Sequence, residues 1–119
     1  MGEISWRVEL HVRPGQLGNF QTLTAEMVEA TRRERGVLSY QRFSSEDGAT
    51  IHVYERYADS AAALAHLAAF TERFADRFGA MAERQAFTVF GDPSADLKAA
   101  LDRYNPVYLK PFGDFDYWG

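Results

Sequence analysis

The run from Tyr54 to Phe78, YERYADSAAALAHLAAFTERFADRF, constrains this chain more than any other, because within it an alternating strand gives way to a helix that must cover it. At about 100° per residue, Leu64, Leu67, Thr71, Phe74, Phe78 and Met81 share one arc while Glu72 and Asp76 lie opposite, the pattern of a helix packed on a core. Asp59 can accept from unpaired N–H groups of the first turn, and Gly79 suits a left-handed end, so the spacing predicts one helix from Ser60 to Phe78. His66 falls at the margin of the apolar arc, with Phe70 one turn further on the same side. It is expected to border a cavity, although a surface histidine or one hydrogen-bonded within the core satisfies the same spacing.

Before this run, Ile4, Trp6, Val8, Leu10 and Val12 alternate with polar residues, which predicts a strand with one apolar face that Pro14-Gly15 stops. Helical spacing follows through Leu17, Phe20, Leu23, Met27 and Ala30, and ends at Gly36. Val37 to Ser45 and Thr50 to Tyr57 read as a hairpin turning on Asp47-Gly48, which accepts positive φ. Gln85 to Phe90 supplies a fourth strand, ended by Gly91-Asp92-Pro93. The order βαββαβ predicts an α+β, ferredoxin-like antiparallel sheet with both helices on one face. The chain reads as a single domain, residues 1–119, with a core over 4–91 and a C-terminal extension over 92–119. In that extension Ser94 caps a short helix, and an extended aromatic tail from Tyr104 to Gly119 follows, with Pro106, Pro111 and Gly113 preventing a continuous helix. The tail is expected to run along a surface, the partner subunit being favoured over the mouth of its own pocket.

The other sheet face would carry Arg7, Glu9, His11, Gln41, Phe43, His52, Tyr54 and Arg56, a mixed polar and aromatic set that predicts a homodimer through this open face. A net charge of −4 and a pI near 5.3 give no footprint for a phosphate backbone, so no nucleic-acid partner is expected. The basic run Arg32-Arg33-Glu34-Arg35 sits where a helix end favours cations. The absence of cysteine excludes disulfides and thiolate chemistry and fits a reducing cytoplasm. No stretch has the length of a membrane span, so no membrane association is expected. His11, His52 and His66 are not at metal-ligand spacing, and no phosphate loop or GxSxG turn is present, so neither a metal nor another cofactor is expected.

A hairpin on Asp47-Gly48 places Tyr40 directly across from Glu55, and because Glu55 follows Ile51 and Val53 at period two, its carboxylate points under the helices. His66 lies about 10 Å back along the helix, at roughly the depth of Glu55. Leu10, on a neighbouring strand expected to run parallel, lies at about the same level, with Phe87 on the far side. Glu55, His66 and Tyr40 are therefore candidate catalytic residues, in a chamber lined by Leu10, Phe70, Phe74 and Phe87. Neutral His66 can take a proton from a bound phenol or enol while Glu55 stabilises the cation. A buried Glu–His–Tyr network that only satisfies polar groups stands beside this reading.

A first strand ending in RPG, then RGVLSYQRF, then VYERYADSAAALAHLAAF and QAFTVFG, resembles the antibiotic-biosynthesis monooxygenase family of dimeric α/β barrels. The likeness runs from Ile4 to Gly91, and its most specific elements are Gly36-Val37-Leu38-Ser39-Tyr40 and the pair Glu55 and His66. The resemblance implies a homodimer with two sheets face to face and a small-molecule pocket between sheet and helices. It further implies oxidation of a small aromatic hydroxyl compound, a phenol, quinol or anthrone, by O₂ without metal or flavin, the substrate itself supplying the electrons. His66 would be the proton acceptor, with Tyr40 and Glu55 orienting substrate or base. A non-catalytic dimeric ligand-binding protein is the second reading. Tyr57 stands where many relatives carry tryptophan. Haem-degrading relatives carry a helix tryptophan and a ligating histidine where this chain has His66 and Asp76, which points away from haem.

Overall fold

The computed structural model describes residues 2–113 and 115. Strands β1 (Ile4–Val12), β2 (Val37–Ser44), β3 (Thr50–Tyr57), β4 (Ala82–Phe90) and β5 (Val107–Leu109) form one sheet in the order β2-β3-β1-β4-β5. Helices α1 (Leu17–Arg32), α2 (Ser60–Arg73), α3 (Ala75–Met81) and α4 (Ala95–Asp102) complete the chain. The first four strands pair antiparallel and β5 joins β4 in parallel. The α+β, ferredoxin-like arrangement expected from the order of periodicities is the one observed.

Alternation decides what each strand buries. Ile4, Trp6, Val8, Leu10 and Val12 of β1, and Ile51, Val53, Glu55 and Tyr57 of β3, all point into the core. Burying a large apolar side chain such as Trp6 contributes about 1.5–3 kcal/mol, which is what holds the helices down on the sheet. From α1, Phe20, Leu23, Met27 and Thr31 meet this face, and Leu97 and Leu101 of α4 belong to the same core. The opposite face carries Arg7, His11, Gln41 and Phe43 exposed, with His52 Nε2 3.7 Å from Glu9 Oε1.

Three local expectations are corrected. The strand beside β3 is β1, and it runs antiparallel, so Glu55 faces Trp6 while Leu10 faces Ile51. The predicted single helix is two, broken at Phe74, whose backbone lies at φ −127° and ψ −20°. In one straight helix His66 and Phe78 would point about 120° apart; the break lets both be buried. Gly79 does not end a helix in the left-handed region but lies within α3, which passes straight into β4 through the extended Ala82.

The tail adds β5 to the edge of its own β4, with Gly91 N–H donating to the Leu109 carbonyl at 3.0 Å. The Tyr108 hydroxyl donates to Asp102 Oδ1 at 2.5 Å, and desolvation of the hydroxyl together with this contact raises its pKa to about 12. Phe112 is fully exposed; Tyr117 and Trp118, also placed in the tail by sequence, lie outside the described residues.

Candidate functional site

Strands β2 and β3 lie under α2. The hairpin turn, with Gly48 at φ 78°, holds the register in which Tyr40 lies across from Glu55. Asp59 caps α2 by accepting from Ala62 N–H at 2.9 Å, which starts the helix directly after β3. α2 then buries Ala63 and His66, so the histidine sits at the middle of the buried face rather than at its margin.

His66 is 5% exposed and Glu55 7%. His66 Nε2 lies 3.5 Å from Glu55 Oε1, and Nδ1 lies 2.9 Å from Glu34 Oε1. A carboxylate only accepts, so the Glu34 contact places a hydrogen on Nδ1, and Nε2 is the ring nitrogen beside Glu55. The Tyr57 hydroxyl makes a short hydrogen bond to the same Glu55 oxygen. Desolvation and the neighbouring Glu55 charge push the Tyr57 phenol well above its ordinary value, which keeps it a donor. Tyr40 packs edge-on against the imidazole at 5.4 Å between ring centroids, but its hydroxyl accepts from Arg42 Nη2 at 2.8 Å. Burial also raises the Tyr40 phenol, with the Arg42 charge opposing it.

Glu55, His66 and Tyr40 border a cavity of about 50 Å³, whose walls also include Trp6, Phe70, Phe87, Arg84 and Tyr104. Phe70 and Phe87 thus lie where expected. Leu10 does not line the cavity: antiparallel pairing puts Trp6 across from Glu55 and Val8 across from Val53, and leaves Leu10 in the core across from Ile51. Phe74 does not line it either, because the helix break turns its ring toward the groove against α1, under the guanidinium groups of Arg73 and Arg77. Among the described residues no three His, Cys, Asp or Glu side chains are grouped so as to hold a metal ion.

Four participants escape sequence reasoning. Glu34 sits in a run of arginines and reads as part of a basic helix end, yet Gly36, at φ 85°, folds the chain back over α2 so closely that a Cβ there would lie 2.6 Å from that of Ala62. That close approach carries Glu34 to His66. Tyr57, rather than Tyr40, donates to Glu55; its inward parity with Glu55 was the available signal. Arg42 shares parity with Tyr40 in the same way. Arg84 had no such signal, because a bulge in β4 leaves Gln85 without a partner and puts Arg84 across from Leu10, on the inner face. Strict alternation from Phe87 and Val89 would have placed it outside.

Solved structures share this fold. MupZ from Pseudomonas fluorescens superposes with a TM-score of 0.86 at 22% identity, covering 98% of this chain and 95% of that one. SnoaB from Streptomyces nogalater, described as a cofactor-independent oxygenase, gives a TM-score of 0.66 at 16% identity over 80% of this chain and 97% of that one. Rv0793 from Mycobacterium tuberculosis gives 0.60 at 23% identity over 78% and 97%. The likeness to MupZ thus takes in the extension that carries α4 and β5. No curated protein matches the chain. The family model described as antibiotic biosynthesis monooxygenase matches residues 4–84, and the chain belongs to that family.

Proposed function

We propose that the protein is a cofactor-independent monooxygenase that oxidises a small aromatic hydroxyl compound with O₂, acting as a homodimer in the cytoplasm. The observation that carries this reading is the buried imidazole that lines an aromatic-walled cavity, with Nδ1 held by Glu34 and Nε2 beside Glu55. Such a base is oriented from behind and its cation is offset by two carboxylates, which is what proton removal in a dry site requires. Family membership and the description of SnoaB support oxygen chemistry. His66 Nε2 takes the hydroxyl proton, and the resulting electron-rich anion, for example an anthrone enolate, supplies electrons to O₂. The ring CH₂ becomes a carbonyl that retains one oxygen atom, and the other oxygen leaves as water with the two displaced hydrogens. Glu55, fixed by Tyr57, stabilises the imidazolium, and Phe70 and Phe87 flank the rings.

Oxygen uptake with a panel of quinols, phenols and anthrones tests the proposal. The expected result is uptake by wild type that falls by about 10²–10⁴ in His66→Ala. Absence of uptake across the panel, together with tight binding of the same compounds, supports the second reading, a dimeric ligand-binding protein.

A further inference from the structure

The cavity has a charged wall that proton transfer at His66 does not use. Of its charged lining residues, Glu55 is engaged by Tyr57 and His66, and Arg42 donates to Tyr40 Oη and to Thr24 Oγ1 at 3.1 Å. Arg84 has no hydrogen bond or ion pair among the described residues, and its Nε is shut off from water without an acceptor. Instead its guanidinium lies over the Tyr104 ring at 4.7 Å and the Phe87 ring at 5.8 Å. The Nε of Arg42, which lines the same cavity, is likewise buried and unpaired. Arg84 thus sets an unpaired guanidinium on the cavity wall, which costs free energy unless a ligand supplies the acceptor. Burial holds Arg84 below its ordinary pKa, yet a guanidinium remains charged at neutral pH.

We propose that the substrate carries a carboxylate, that the Arg84 fork binds it at the Tyr104 side of the cavity, and that this contact sets which end of the substrate meets His66. A planar fork of parallel N–H donors matches a carboxylate in two hydrogen bonds, whereas a neutral amide offers one acceptor oxygen and two hydrogens that face the guanidinium. The inference deepens the oxidation proposed above, since it names a second substrate group for the same cavity. It concerns binding alone and can be judged without oxygen.

The test is anaerobic calorimetry with para-hydroxybenzoate against para-hydroxybenzamide, and with a larger hydroxynaphthoic acid against its amide, on wild type, Arg84→Gln and Arg84→Lys. Wild type is expected to bind at least one acid about tenfold or more tighter than its amide, Arg84→Gln to lose that preference, and Arg84→Lys to keep only part of it. Equal affinity for acid and amide at both sizes, no binding of any of the four, or a preference that survives in Arg84→Gln overturns the assignment. Should Arg84→Gln not fold, an undiminished preference in Arg84→Lys overturns it. Failure of the oxygen assay with an intact acid preference would sink the oxidation and leave the carboxylate site standing.

Discussion

Glu34 Oε1 lies 2.9 Å from Nδ1 of His66, across 32 residues of chain, and so a residue from a basic helix end becomes the group that orients the buried imidazole. Glu34→Gln keeps an acceptor for Nδ1–H but removes the charge that offsets an imidazolium. Turnover is expected to fall about tenfold, or about 1.4 kcal/mol of transition-state stabilisation, with KM little changed. Steady-state oxygen uptake measures both quantities, and an unaltered turnover would remove Glu34 from the mechanism.

His66→Ala affects the fold as well as the chemistry. The side chain is nearly buried and lies between two carboxylates, so its removal leaves Glu55 with one fewer partner inside the core. A loss of about 1–3 kcal/mol is expected from urea unfolding at neutral pH. Activity comparisons therefore belong below the lowered melting temperature. Unchanged stability would mean that the polar groups repair themselves with water.

Alkaline pH should loosen the protein through its tyrosines. Tyr57, and to a lesser degree Tyr40, have folded-state values raised above the ordinary value of 10.0 by burial. Below about pH 10 both folded and unfolded forms hold these protons and their contribution is constant. Above it the unfolded chain releases them first, so the unfolded state binds fewer protons and stability falls as pH rises. Unfolding midpoints from pH 8 to pH 11.5 should therefore drop, and less steeply in Tyr57→Phe, which starts lower at neutral pH because Glu55 has lost a donor. Parallel profiles for the two proteins would show that Tyr57 is not the sensitive group.

A homodimer through the open sheet face predicts that Phe43→Glu, at a side chain 57% exposed in the single chain, dissociates it in sedimentation at micromolar concentration. The tail divides at β5. Truncation after Lys110 spares the pairing of Val107–Leu109 with β4, so subunit stability should change by no more than about 0.5 kcal/mol. If the exposed Phe112 lies on the partner, the same truncation weakens the dimer. Unchanged dimer affinity would restrict the tail to its own subunit.

What the amino-acid order determined by itself is what depends on neighbours in sequence. Period-two alternation turned Glu55 inward, the Asp47-Gly48 turn set Tyr40 opposite it, and Asp59 started the helix that brings His66 overhead. The tertiary structure decided the rest, because each remaining feature depends on how one element meets another. The rotation of α2 on the sheet moved His66 from the margin to the middle of the buried face. A break at Phe74 was needed to bury His66 and Phe78 together and took Phe74 out of the cavity. A bulge, which breaks the parity that makes strands legible, turned Arg84 inward. The close pass of Gly36 over Ala62 carried Glu34 to His66, since positive φ and the lack of a side chain allow a contact between distant segments that no local pattern encodes.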